Sequence, residues 1–132
     1  ALYPLEVYVI KKDGLFHYRP GDHTLVQKSD EDIRRKLGKA ALDQTFVEKA
    51  PCVFVITCIY ERTTGKYRER GIRYVHLDAG HAAQNLLLQA AALGLGGVPV
   101  GAFNDYNVAQ TMNLHEKERP LYLIPVGSPL IP

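Results

Sequence analysis

The sequence predicts a single domain of the α+β class, and three observations carry that expectation. The apolar runs Val7-Tyr8-Val9-Ile10 and Leu15-Phe16-His17-Tyr18 flank an Asp13-Gly14 pair, the signature of a tight antiparallel hairpin. The stretch Val53-Phe54-Val55-Ile56-Thr57-Cys58-Ile59 is a nearly unbroken apolar run, as expected of a strand buried on both faces. From about residue 71 to 93 the chain reads as one long, mostly apolar helix, which at about 1.5 Å per residue would reach roughly 34 Å.

The remaining elements follow in order. A further strand, 24–27, comes after the Pro20-Gly21-Asp22 turn. Ser29 is placed to cap a helix over about 30–42, with Asp32 three residues on completing a capping-box pattern. Residues 61–69 are polar and charged and read as a linker. After the long helix comes the glycine-rich Gly94-Leu95-Gly96-Gly97-Val98. Asn104 or Asp105 should cap a short helix to about 113, and 121–126 returns as a last strand. Strands and packed helices without an internal repeat fit α+β.

Composition narrows the possible partners. With 132 residues and 46% hydrophobic content, the chain can furnish one core. The net charge of +2 comes from mixed charges rather than a basic tract, so neither nucleic acid nor a membrane surface is called for. The apolar stretch at 86–95 is interrupted by Gln89 and is too short to span a bilayer, and no signal peptide is expected. Cys52 and Cys58 are expected roughly 20 Å apart on one strand, too far to pair, which fits a reducing cytoplasm. Because Ala1-Leu2-Tyr3-Pro4-Leu5-Glu6-Val7 reads like domain interior from its first residue, the chain is expected to lack an N-terminal part.

Candidate chemistry is concentrated in the second half. On the long helix Asp78, His81, Asn85 and Gln89 recur every three or four residues and form one polar stripe, fit either for solvent or for an interface. No histidine pair or carboxylate-histidine cluster has metal-ligand spacing, so no metal site is expected. The glycine-rich turn has neither the lysine of a P-loop nor the preceding strand of a dinucleotide fingerprint. It can still present the N–H groups of Gly101 and Ala102 to a planar ligand, while Gly94 serves as a helix cap. Lys66-Tyr67, with Arg62, Arg68, Arg70 and Arg73 nearby, offers two groups able to exchange protons if their pKa values are lowered; otherwise it is a solvated loop.

Taken together, five blocks carry a family resemblance. They are Ala1-Leu2-Tyr3-Pro4-Leu5-Glu6, Tyr60-Glu61-Arg62-Thr63-Thr64-Gly65-Lys66-Tyr67, Arg70-Gly71-Ile72-Arg73-Tyr74, Ala79-Gly80-His81-Ala82-Ala83-Gln84-Asn85-Leu86 and Val98-Pro99-Val100-Gly101-Ala102-Phe103. In this order they resemble the flavin-dependent nitroreductases, and within them the SagB-type dehydrogenase branch. The resemblance implies an α+β dimer with a mixed sheet and a long central helix, holding FMN at the subunit interface. It implies that Pro99, Val100, Gly101 and Ala102 face the isoalloxazine, with the last two N–H groups toward the N5 and O4 edge, and that Ala1 and Leu2 lie near another ring edge. Donors so placed would stabilise charge arriving on the reduced ring.

By the same resemblance, Lys66 and Tyr67 match a pair that supports proton removal while a hydride passes to FMN. The expected activity is ping-pong hydride transfer through flavin N5. NAD(P)H would reduce nitro- or quinone-type acceptors, or a small-molecule or peptide substrate would be dehydrogenated. The basic segment that grips the FMN phosphate in such proteins would lie upstream of Ala1, and a further arginine beyond Pro132. Each missing charge-assisted bond costs about 1.5–3 kcal/mol. The alternative expectation is therefore a non-catalytic dimeric module with this fold and no bound flavin.

Overall fold

A computed structural model describes residues 1–130; positions 131 and 132 of the expected 1–132 domain lie outside the described residues. The strands are β1 (Leu5–Lys11), β2 (Gly14–Arg19), β3 (Thr24–Ser29), β4 (Cys52–Cys58), β5 (Gly96–Gly97) and β6 (Arg119–Gly127). The helices are α1 (Arg34–Ala40), α2 (Thr45–Lys49), α3 (Glu61–Tyr67), α4 (Arg70–Ala92) and α5 (Asp105–Met112). The strands form one sheet in the order β3-β2-β1-β4-β6-β5.

Alternation along β4 divides the core into two layers. Val53 and Val55 point to one face, where they meet Tyr8, Ile10 and Leu123 of the sheet with Leu37 of α1, Val47 of α2, and Val108 and Met112 of α5. Phe54 and Ile56 point to the other face, where Ile124 and Val126 pack against Ala79, Ala83, Leu86, Leu87 and Ala90 of α4. Both faces of β4 are thus covered, as its apolar run requires. The fully buried positions of α4 are small, Gly71, Val75, Ala79, Ala83 and Ala90, with Leu86 and Leu87 partly buried beside the alanines on the sheet side.

Several sequence expectations change in detail. The sheet was expected to be mixed; among the described residues every pairing is antiparallel, because the long excursion from β4 through α3 and α4 returns β6 in the opposite direction beside it. Lys11 pairs with Gly14, so the first hairpin turns on Lys12-Asp13 rather than on Asp13-Gly14. Gly14 itself has φ +143°, and a Cβ there would lie 2.1 Å from the Ser29 carbonyl oxygen. The helix expected over 30–42 begins only at Arg34. Ser29 Oγ accepts from Glu31 N (3.1 Å) and Asp32 Oδ1 from Arg34 N (3.2 Å), so both hydroxyl and carboxylate serve local turns ahead of the helix.

The largest correction concerns residues 61–69, which are helical over Glu61–Tyr67 instead of a linker. Thr63 N and Thr64 N both donate to Tyr60 O, starting the helix directly off β4. It stops where Arg68 turns to φ +55°, and α4 begins two residues later. Gly71 allows the two helices to meet: a Cβ at that position would sit 3.1 Å from backbone atoms of Thr63 and Thr64.

The far end of α4 behaves as its glycines suggest. Gly94 has φ +75°, and Leu95 N donates to Ala90 O at 2.8 Å, closing the helix. Gly96 and Gly97 then pair with β6, which brings the chain back to the sheet. Asn104 Oδ1 accepts from Asn107 N at 2.9 Å, capping α5.

Candidate functional site

Helix α3 and the N-terminal segment meet through one arginine. Arg62 Nη1 donates to the Tyr3 carbonyl oxygen (3.2 Å) and to Glu6 Oε2 (2.5 Å). Ile59 N donates to Pro4 O at 2.9 Å, holding the chain beside the end of β4. Ala1 and Leu2, ahead of this anchorage, are exposed. Glu6 also shares a 2.6 Å hydrogen bond with His17 Nε2. Burial pushes the Glu6 carboxyl up, but the Arg62 and His17 bonds outweigh it and hold the group below the ordinary glutamate range.

Lys66 and Tyr67 occupy the last turn of α3, and both are exposed. The Lys66 ammonium lies 5.2 Å from the centre of the Tyr67 ring, and that ring meets Tyr74 of α4 edge-on at 5.2 Å. The Tyr60 hydroxyl and His76 Nε2 share a 2.6 Å hydrogen bond that ties the start of α3 to α4. Two aromatic contacts therefore fix α3 along α4, and the Lys66–Tyr67 pair stands on a helix rather than a loop.

Residues 99–102 follow β5 along the sheet. Val100 is buried and exchanges two hydrogen bonds with Leu123: Val100 N to Leu123 O at 2.7 Å and Leu123 N to Val100 O at 3.0 Å. Gln44 Nε2 donates to Ala102 O at 2.9 Å, and Asn104 N donates to Ala40 O at 2.8 Å. Between these anchors Gly101 and Ala102 are exposed, and among the described residues neither N–H has a hydrogen-bond partner. A Cβ added at Gly101 would meet nothing within 4 Å. Two unpaired donors thus stand on a rigid piece of backbone beside open space, which suits a planar acceptor.

The Arg62–Tyr3 bond ties the residue that follows Leu2 to α3; among the described residues no hydrogen bond reaches Ala1 or Leu2 themselves. The structure does not join Lys66 and Tyr67 to residues 99–102 within the chain: among the described residues no hydrogen bond links the two segments. The polar stripe Asp78, His81, Asn85 and Gln89 is exposed on the outer side of α4, next to the exposed Leu77 and Leu88. Among the described residues no cluster of three or more His, Cys, Asp or Glu side chains could hold a metal, and no helix is long and apolar enough to cross a membrane.

One polar constellation escaped the sequence reading. Tyr8 and Thr57 both donate to Glu118 Oε2, at 2.6 and 2.5 Å, and all three residues are buried. Burial, with the Glu118 hydrogen bond and charge, pushes the Tyr8 phenol far above its ordinary range. His17 stacks on Tyr8 with ring centres 4.6 Å apart, so this network continues to Glu6 and Arg62. Thr57 inside an apolar strand was the signal available for it. Cys58, adjacent on β4, is free and buried, and burial pushes its thiol up to about 11. Cys52, at the other end of the strand, is also free and is raised by burial.

Comparison with known proteins places these features in context. Residues 1–128 match the nitroreductase family. The chain is 47% identical to Putative nitroreductase MJ1384 of Methanocaldococcus jannaschii, over 96% of this chain and 66% of that protein. It is 30% identical to the NADPH-flavin oxidoreductase of Vibrio harveyi, over 80% of this chain and 48% of that protein. The chain therefore spans two thirds or less of these relatives. Its fold matches that of the Escherichia coli microcin synthetase McbBCD complex with truncated pro-MccB17 bound, with a TM-score of 0.88 and 26% identity over 98% of this chain and 53% of that one.

Proposed function

We propose, because the chain belongs to the nitroreductase family, that it forms the ring-binding part of an FMN-dependent oxidoreductase working as a homodimer. The observation that carries this reading is the pair of unpaired N–H groups at Gly101 and Ala102, anchored by Val100 on one side and Gln44 on the other. FMN, when bound, supplies a ring that accepts and returns a hydride through N5 in two half-reactions. The chain's own part is positional and electrostatic: exposed, fixed donors favour negative charge on a ring edge without having to reorganise.

Pro99, Val100, Gly101 and Ala102 would line the ring, with Ala1 and Leu2 at another edge. The fit to a flat group is good, since Gly101 leaves its outer side clear. Lys66 and Tyr67, held together at the end of α3, would handle the proton that leaves a substrate C–H bond. The exposed apolar and polar stripe of α4 supports a second copy of the chain as its partner, the flavin lying between them.

The relatives suggest two substrate classes. The Vibrio harveyi relative is named for NADPH, which favours nicotinamide-driven reduction of nitro- or quinone-type acceptors. The likeness to the microcin synthetase and to the SagB-type blocks favours dehydrogenation of a peptide or small molecule, and Lys66-Tyr67 is the feature that points that way. Titration of the purified protein with FMN, followed by flavin fluorescence and by sedimentation, tests the reading. Micromolar or tighter binding to a dimer is expected; no binding would leave a flavin-free dimeric module as the better account.

A further inference from the structure

We propose that Arg62 is a positioning residue that holds the N-terminal segment in register with helix α3, fixing Ala1 and Leu2 relative to Lys66 and Tyr67. The tie itself is geometric; that it matters for a ring edge rests on the flavin reading above. Among the described residues, the bond from Arg62 Nη1 to Tyr3 O is the one hydrogen bond that reaches residues 1–3. The next anchor, Ile59 N to Pro4 O, holds the chain one residue later.

Tyr3 has φ +48° and is 78% exposed, so packing does not impose its left-handed backbone. A non-glycine residue keeps that conformation where its surroundings over-determine it. The Tyr3 carbonyl is held by Arg62, whose guanidinium is in turn aimed by Glu6, and Glu6 by His17 on β2, while the ring of Pro4 narrows the backbone choices of Tyr3 from the other side. The same nitrogen serves both acceptors, so Arg62 cannot swing away from Tyr3 without also straining its pair with Glu6. Because Arg62 is part of α3, it moves with the turn that carries Lys66 and Tyr67.

The test measures backbone 15N relaxation of Leu2 and Tyr3, with Val7 to Ile10 of β1 as the internal reference, alongside FMN titration of the same protein. In Arg62→Ala, the order parameters of Leu2 and Tyr3 should fall to the flexible range while those of β1 stay unchanged, and FMN affinity should weaken about tenfold. Arg62→Lys keeps a charged donor on α3 and should restore most of both. Should Arg62→Ala fold poorly, Glu6→Gln, which removes the charge that aims the guanidinium, should loosen Leu2 and Tyr3 in the same sense.

Unchanged relaxation in Arg62→Ala would overturn the proposal, as would loosened residues with undiminished FMN affinity. A wild-type protein that binds no FMN would instead overturn the flavin reading, and the relaxation data would decide the tie alone.

Discussion

The Tyr8 hydroxyl donates to Glu118 Oε2 at 2.6 Å, joining β1 to the residue that immediately precedes β6 across the intervening β4. Thr57 on β4 donates to the same oxygen, so two strands of the sheet converge on one buried carboxylate at the entrance to a third. Removing the Tyr8 hydroxyl leaves the carboxylate with a single protein donor. Tyr8→Phe should therefore destabilise the fold by about 1–2 kcal/mol, read from denaturant unfolding, with the secondary structure unchanged. Stability equal to wild type would show that water replaces the hydroxyl.

Alkaline pH should weaken the fold through its buried thiols and phenols, the carboxylates being ionised far below that range. Cys58 is raised from 9.0 to about 11, and Tyr8 is raised above its ordinary 10.0. A raised pKa means that the native state keeps its proton more tightly, so the associated stability is fully present below the unfolded value and is lost as pH rises through the native one. The melting temperature should fall from about pH 9 upward. In Cys58→Ala the loss between pH 9 and 10 should become shallower, with Cys52 the remaining raised thiol and Tyr8 and Tyr60 adding their share from pH 10 upward; a fall as steep as in wild type would exclude the Cys58 thiol as its main cause.

Acid should act through Glu6. Its carboxyl sits below its ordinary 4.5, so its stabilising contribution is present above that value and is lost as pH falls through the native one. Protonating Glu6 releases its hold on Arg62 and His17. Unfolding measured between neutral pH and pH 3 should therefore lose less stability in Glu6→Gln than in wild type, because the variant has already lost the titrating group.

Gly71 sets the distance between α3 and α4. In Gly71→Ala the new methyl would meet Thr63 and Thr64 backbone at 3.1 Å, and backbone yields less readily than a side-chain tip. A loss of about 1–3 kcal/mol is expected, in spite of alanine's better helix propensity. Chemical shifts of Lys66 and Tyr67 should move with the displaced helix; a stabilised variant with unmoved shifts would contradict this packing.

Under the proposed activity, Lys66→Ala and Tyr67→Phe should each reduce turnover while leaving FMN binding intact. A positioned acid or base contributes about 10²–10⁴-fold, so losses in that range are expected. Tyr67→Phe keeps the edge-on contact with Tyr74 and isolates the hydroxyl. Wild-type turnover in both variants would return the pair to an ordinary exposed helix end.

Much of the architecture was legible because periodicity carries it. The run through 53–59 and the helix near 71–93 show repeat patterns long enough to outweigh local ambiguity, and they became β4 and α4. Helix α3 was not legible: Thr63, Thr64 and Gly65 are poor helix residues, and the helix exists because it packs on α4, which composition does not reveal. The start of α1 shifted for a related reason, since Asp32 is occupied by an ion pair with Arg34 at 2.8 Å.

At the candidate site, the glycines announced free backbone donors near Gly101 and Ala102, whereas the anchors around them could not be read. Gln44 reaches Ala102 from 58 positions away, and Glu118 meets Tyr8 across 110. Such pairings depend on sheet order, which no local pattern encodes. Arg62 was visible only as one member of a basic patch, and its aim at Tyr3 follows from α3 being helical.

The seam of small residues beneath α4 works as a thickness gauge. With Ala79, Ala83 and Ala90 against the sheet, the helix can approach it closely, since the spacing of packed elements follows the size of the side chains at a contact. One added methylene at Ala83 would lift His81 and Asn85 outward without altering either residue. The gap between this face and whatever docks on it can therefore be tuned from the buried side, by changes that leave every exposed group chemically the same.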